Sequence, residues 1–170
     1  MDDAAGTVLR DARIGDAASI HALVRELAEY ERLAHEHVGS VAALERHLFG
    51  PEPFARVVIA EHDGALAGFA LYFFTYSTFL SQPKLYLEDL FVRPSFRRKG
   101  IGRRLLVELA RRALARDCGR MEWAVLDWNV PSIAFYRRLG AVPMDDWTTF
   151  RVIGEALNRL AEPGSADPAS

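Results

Sequence analysis

The stretch Leu85-Tyr86-Leu87-Glu88-Asp89-Leu90-Phe91-Val92-Arg93-Pro94-Ser95-Phe96-Arg97-Arg98-Lys99-Gly100-Ile101-Gly102 decides how this chain reads. Its first eight residues form an apolar, strand-like run. Arg93-Pro94 then turns the chain, and a helix runs from about Gly100 to Arg116 with Leu105, Leu106, Leu109, Ala113 and Leu114 inward. A helix start leaves backbone N–H groups unpaired and carries partial positive charge, so it attracts anions. Gly100 and Gly102 let the backbone come close to a phosphate without a Cβ in the way. Arg97, Arg98 and Lys99 add full charge, and the arginines add forked donors. A dinucleotide fingerprint needs a third glycine where Leu105 stands, and the nucleotide P-loop triplet Gly-Lys-Ser/Thr does not occur.

The rest of the chain alternates helices and strands. Val8 to Arg13 alternates as a strand, and Asp16 is placed to cap a helix with Ile20, Leu23, Val24 and Leu27 on its apolar face. Ser40 is placed to cap a second helix to about Leu48. Arg56 to Glu61 and Leu66 to Tyr76 read as strands joined by the hairpin signal Asp63-Gly64. Met121 to Leu126 reads as a strand. A helix from Pro131 or Ser132 to Leu139 ends at Gly140, a strand covers Trp147 to Val152, and a short helix follows from about Glu155. The order predicts an α/β fold, a mixed and mostly antiparallel sheet with helices on both faces. A single domain over 8–161 is expected, with mobile ends at 1–7 and 162–170.

The 170 residues suffice for one domain with a real core. Net charge is −2, so bulk electrostatics do not favour nucleic acid, and Glu108 stands at helical spacing to pair with Arg104, Arg111 and Arg112. One cysteine, Cys118, excludes an internal disulfide framework and reads as a packed or idle thiol. The start has no basic, apolar leader and no run approaches a membrane span, so a cytoplasmic protein is expected. His35-x-His37 is the only close histidine pair and reads as a surface loop, so no metal site is expected.

The R-x-x-G-x-G run at a strand-to-helix junction resembles the acyl-CoA pyrophosphate loop of the GNAT N-acetyltransferases. Further stretches are similar to that family's branch of diamine (spermidine/spermine) and thialysine N-acetyltransferases. They are Arg25 to Glu31, Tyr72 to Thr78, Tyr86 to Val92, Ala124 to Asn129 and Phe135 to Ala141. Where the polyamine enzymes resemble Thr-Tyr-Asp-Pro-Trp, this chain has Thr75-Tyr76-Ser77-Thr78-Phe79. The acidic group suited to a polycation is replaced by Ser77, and the sequence is more similar to the thialysine type.

The resemblance implies a GNAT fold, with acetyl-CoA as cosubstrate and a small primary amine as acceptor. It implies cofactor contacts from main-chain groups of Leu90, Phe91 and Val92, from the loop Arg97, Arg98, Lys99, Gly100, Ile101, Gly102 and Arg103, and from Asn129, Ser132 and Tyr136. Glu88 is the implied base, directly or through water, and Tyr136 the implied acid for the leaving thiolate. Tyr30, Glu31, Glu88, Glu122 and Trp123 are implied on the amine side. In a regular strand Glu88 and Asp89 would face opposite ways, and of Glu122 and Trp123 only one would face inward; a bulge would change this. The family commonly forms homodimers, which implies a homodimer here. No nucleic acid and no membrane are expected as partners.

Overall fold

The structure is a computed structural model and describes residues 6–162. The expected mobile ends fall largely outside those residues, although Thr7 is buried and begins the first strand. The chain gathers into two compact units, Met1–Leu126 and Asp127–Ser170, within the span that the sequence reads as one domain.

The first unit runs β1 (Thr7–Asp11), α1 (Ala17–Tyr30), α2 (Val41–Phe49), β2 (Arg56–His62), β3 (Ala65–Ser77), β4 (Gln82–Val92), α3 (Ile101–Leu114) and β5 (Met121–Trp123). The strands form one sheet in the order β1-β2-β3-β4-β5. β1 to β4 are antiparallel neighbours, and β5 joins β4 in parallel. The β2–β3 hairpin turns at Asp63 and Gly64, both with positive φ (52° and 76°), the backbone that a tight two-residue turn requires.

Strand alternation sorts the core onto two faces. Val57, Ile59, Phe69 and Phe91 pack with Ile20, Leu23, Leu27 and Leu48, so α1 and α2 cover one face. Tyr72 points the other way, where its hydroxyl accepts a 3.0 Å hydrogen bond from Arg112 Nη1 of α3. Arg116 lies over the Phe74 ring on the same side, its guanidinium carbon 4.7 Å from the centroid. Helices therefore lie on both faces, as expected. The α3 arginines are engaged in the fold: Arg112 also bonds Glu108 at 2.9 Å and Asp11.

Three expectations about elements change. Asp16 precedes α1, but its carboxylate makes no cap bond to the helix. Arg10 holds it at 2.8 and 2.9 Å, and the Arg13 N–H donates to it at 2.7 Å. Ser40 does cap α2, accepting from Ala43 N at 3.2 Å. The strand expected over Met121 to Leu126 stops at Trp123. In the second unit, α4 (Val130–Arg138) and α5 (Gly154–Ala161) form, and Gly140 with φ 89° closes α4. No strand forms over Trp147 to Val152, since residues that favour extended backbone become a strand only beside a partner that satisfies their backbone. Trp147, Phe150 and Ile153 stand exposed there.

Candidate active site

The β3–β4 pairing slips by one residue in its middle. Leu71 opposes Asp89 and Tyr72 opposes Leu87, which leaves Glu88 as the extra residue of a β-bulge. Below the bulge Tyr86 opposes Phe73, their rings 5.3 Å apart; above it Asp89 opposes Leu71. Phe73 and Leu71 share the face that α1 covers. Glu88 follows Tyr86 by two positions, so the slip brings both carboxylates to that face, where a regular strand would have separated them. Glu122 opposes Tyr86 in the parallel ladder and joins the same face; Trp123 opposes Leu87 and goes to the other.

These groups feel one another. Burial first, then the charges of Glu88 and of Glu31, push the Asp89 carboxyl up to about 6. Burial raises Glu31 above the ordinary carboxylate range. Burial, then Glu88 and Glu122, raises the Tyr86 phenol. Glu122 is itself paired with Lys84 and, at 2.6 Å, with Arg120. Glu31, Glu88 and Asp89 thus form an acidic group at the end of α1 and the bulge of β4, suited to a cation.

A stability test follows from Asp89. Its native value near 6 lies above an unfolded value of about 3.9, so the native state binds more protons between those pH values. Stability must then fall as pH rises through that window and stay reduced above it, by up to about 3 kcal/mol. Asp89→Asn is expected to melt higher than wild type at pH about 8 and to lose that advantage near pH about 4. Equal melting differences at both pH values would refute the raised carboxyl.

Beyond the bulge, β4 parts from β5. Their ladder covers only Leu85 to Leu87 against Met121 to Trp123, while β4 continues to Val92. Main-chain groups of Leu90 to Val92 therefore border a splay between the strands. The Phe91 side chain is committed to the α1 core, so it can serve a ligand only through its backbone. Val92 O accepts from Arg97 Nε at 3.0 Å. Arg93 fixes the start of the loop: it pairs with Glu26 of α1 at 2.6 Å and donates to Leu66 O.

The loop itself has left-handed backbone at Arg98 (φ 64°) and at Gly100 (φ 74°), the residue before α3. Arg98 and Arg103 are exposed and Lys99 is half-buried. Ile101 is 1% exposed, so it anchors the helix start in the core and offers only its N–H outward. The Arg97 guanidinium lies over the Tyr30 ring, its carbon 4.4 Å from the centroid. The sequence assigns Arg97 to the cofactor and Tyr30 to the amine; the structure stacks one on the other, so Tyr30 also supports the loop.

In the second unit, Asn129 is buried and its side chain accepts from Ser132 N at 3.4 Å, capping α4. Tyr136 follows one turn later on α4, half-buried, its ring 5.4 Å from that of Phe135. Ser77 is buried and accepts from Leu80 N at 3.4 Å, so it closes the β3–β4 turn, while Phe79 at the tip is exposed. Sequence reading did not single out Lys84, Arg120 or the Glu26–Arg93 pair. Their signal is a cross-strand or cross-element contact that spacing does not carry. Among the described residues no group of three or more acidic, histidine or cysteine side chains is placed to hold a metal ion, and no helix is long and apolar enough to cross a membrane.

A sheet splayed beside a basic, glycine-bearing helix start, with carboxylates at a strand bulge, defines an acyl-transfer fold. The chain belongs to the GNAT family: the model described as Acetyltransferase (GNAT) family matches residues 20–141. It is an N-acetyltransferase. Over 168 residues it is 39% identical to the thialysine N-epsilon-acetyltransferase of Mus musculus, the match covering 92% of this chain and 98% of that one. It is 31% identical to the L-ornithine N5-acetyltransferase NATA1 of Arabidopsis thaliana, over 85% of this chain and 83% of the other. Among solved structures, an integron cassette protein from the mobile metagenome of V. cholerae superposes with TM-score 0.78 at 25% identity, covering 93% of this chain and 99% of that one.

Proposed function

We propose that this enzyme transfers the acetyl group of acetyl-CoA to the side-chain amine of a thialysine- or lysine-like amino acid. The observation that carries the reading is the acidic group Glu31, Glu88 and Asp89, which the bulge of β4 gathers on the α1 face. The thialysine and ornithine acetyltransferases it resembles support an amino-acid acceptor.

GNAT acetyltransferases use acetyl-CoA as acyl donor, and the residues here fit it. The splay after Leu87 offers main chain of Leu90 to Val92 to the pantetheine arm as a pseudo-strand. The loop Arg97 to Arg103 offers charge and N–H groups to the pyrophosphate, and Asn129 and Ser132 hold the cofactor chain. The acceptor arrives as an ammonium, since an alkylamine has a pKa of about 10.4. Glu88, exposed at the bulge, takes that proton directly or through water, and Glu31 and Asp89 hold the cation in place. The free amine attacks the thioester carbon and a main-chain N–H of β4 stabilises the oxyanion; the C–S bond then breaks, Tyr136 gives its proton to the thiolate, and the second proton shed by the new amide nitrogen restores the Tyr136 phenol through water. Glu122 and Tyr30 border the amine; Trp123 is turned to the opposite face.

Transfer within one ternary complex predicts intersecting double-reciprocal lines when acetyl-CoA and amine are varied together. Parallel lines would indicate an acyl-enzyme and contradict direct transfer. The enzyme is further proposed to be a cytoplasmic homodimer. The exposed apolar side chains of Trp147, Phe150 and Ile153 support a partner chain there. Sedimentation as a monomer would contradict it.

A further inference from the structure

His62, the last residue of β2, is 5% exposed and stands outside the chemistry described so far. Its ring is held from four sides. Nδ1 lies 2.9 Å from Thr7 Oγ1 of β1, its register partner across the sheet. Nε2 lies 3.2 Å from Lys99 Nζ in the basic loop and 3.5 Å from Asp63 Oδ2 in the β2–β3 turn. The Phe96 ring, from the short turn before the loop, meets it edge-on at 5.9 Å.

We propose that His62 is a positioning residue for the pyrophosphate loop: its neutral ring, fixed by Thr7, accepts a hydrogen bond from Lys99 and aims that ammonium at the cofactor phosphates. The inference rests on the reading that acetyl-CoA binds at this loop. An ammonium has donors only, so Nε2 must offer it a lone pair. The ring proton then sits on Nδ1 and donates to Thr7 Oγ1. One of the three Lys99 N–H groups is used on His62, and two remain for phosphate oxygens. The bond also joins the loop to the sheet next to Arg98, whose left-handed backbone is uncommon for a residue with a Cβ.

The test titrates CoA calorimetrically into the full-length protein and its variants at constant ionic strength. His62→Leu is expected to weaken CoA binding about 3- to 10-fold, the range of one ordinary hydrogen bond, because the effect reaches the phosphates only through Lys99. His62→Gln, which keeps an acceptor, is expected to restore most of that loss. In a Lys99→Met background, His62→Leu should add nothing, because its effect passes through Lys99. The same weakening in both backgrounds, or none in either, overturns the proposal. Should His62→Leu fail to fold, His62→Phe replaces it: it is expected to weaken CoA binding in the wild-type background and to add nothing in the Lys99→Met background, and equal losses in both overturn the proposal. Wild-type protein that binds no CoA would sink the functional reading as well. CoA binding that ignores Lys99→Met would sink this inference alone.

Discussion

Tyr136→Phe is expected to lower kcat by about a hundredfold to ten-thousandfold while leaving acetyl-CoA affinity close to that of the wild type. The substitution removes one hydroxyl and keeps the ring, so packing beside Phe135 is retained. The leaving group is a thiolate. Its departure unprotonated raises the barrier of the step in which the C–S bond breaks, and binding of the cofactor precedes that step. A loss confined to kcat therefore separates an acid from a binding residue. Stopped-flow or steady-state thiol release with acetyl-CoA and lysine measures it. Unchanged kcat would remove Tyr136 from the proton path.

Glu88→Gln carries the second large effect. A base must accept the ammonium's proton and a glutamine amide cannot, so the acidic limb of the pH–rate profile should flatten in the variant. The plateau should drop at least about a hundredfold. Asp89→Asn is the natural comparison. Asp89 is the more enclosed carboxyl, pushed up to about 6, and on the proposed reading it meets the amine's charge rather than its proton. Its variant should raise the amine KM more than it alters the shape of the profile. An acidic limb that survives Glu88→Gln and vanishes in Asp89→Asn would exchange the two roles.

The sequence made the loop and the helix periods legible because each depends on local spacing. Gly100 at a left-handed position, Ser40 as a cap and Asp63-Gly64 as a hairpin are all chemistry that a few neighbouring residues specify. The facing of Glu88 and Asp89 was not legible in that way. It depends on a one-residue slip against β3, which alternation within β4 does not encode. For the same reason Asp16 reads as a cap, although Arg10, on a different element, takes its carboxylate. The segment Trp147 to Val152 is rich in aromatic and β-branched residues, yet composition names no partner, and no strand forms there. The stacking of Arg97 on Tyr30 and the contact of Lys99 with His62 join residues far apart in the chain, and only the fold brings them together.

The acceptor is tested most directly by thiol release from acetyl-CoA against a panel of amines: thialysine, lysine, ornithine, putrescine, spermidine, spermine and a short peptide with a free amine. Thialysine or lysine is expected to give the highest kcat/KM, with the acetyl group on the side-chain nitrogen of the product. A clear preference for spermidine or spermine, or for the peptide, would contradict an amino-acid acceptor.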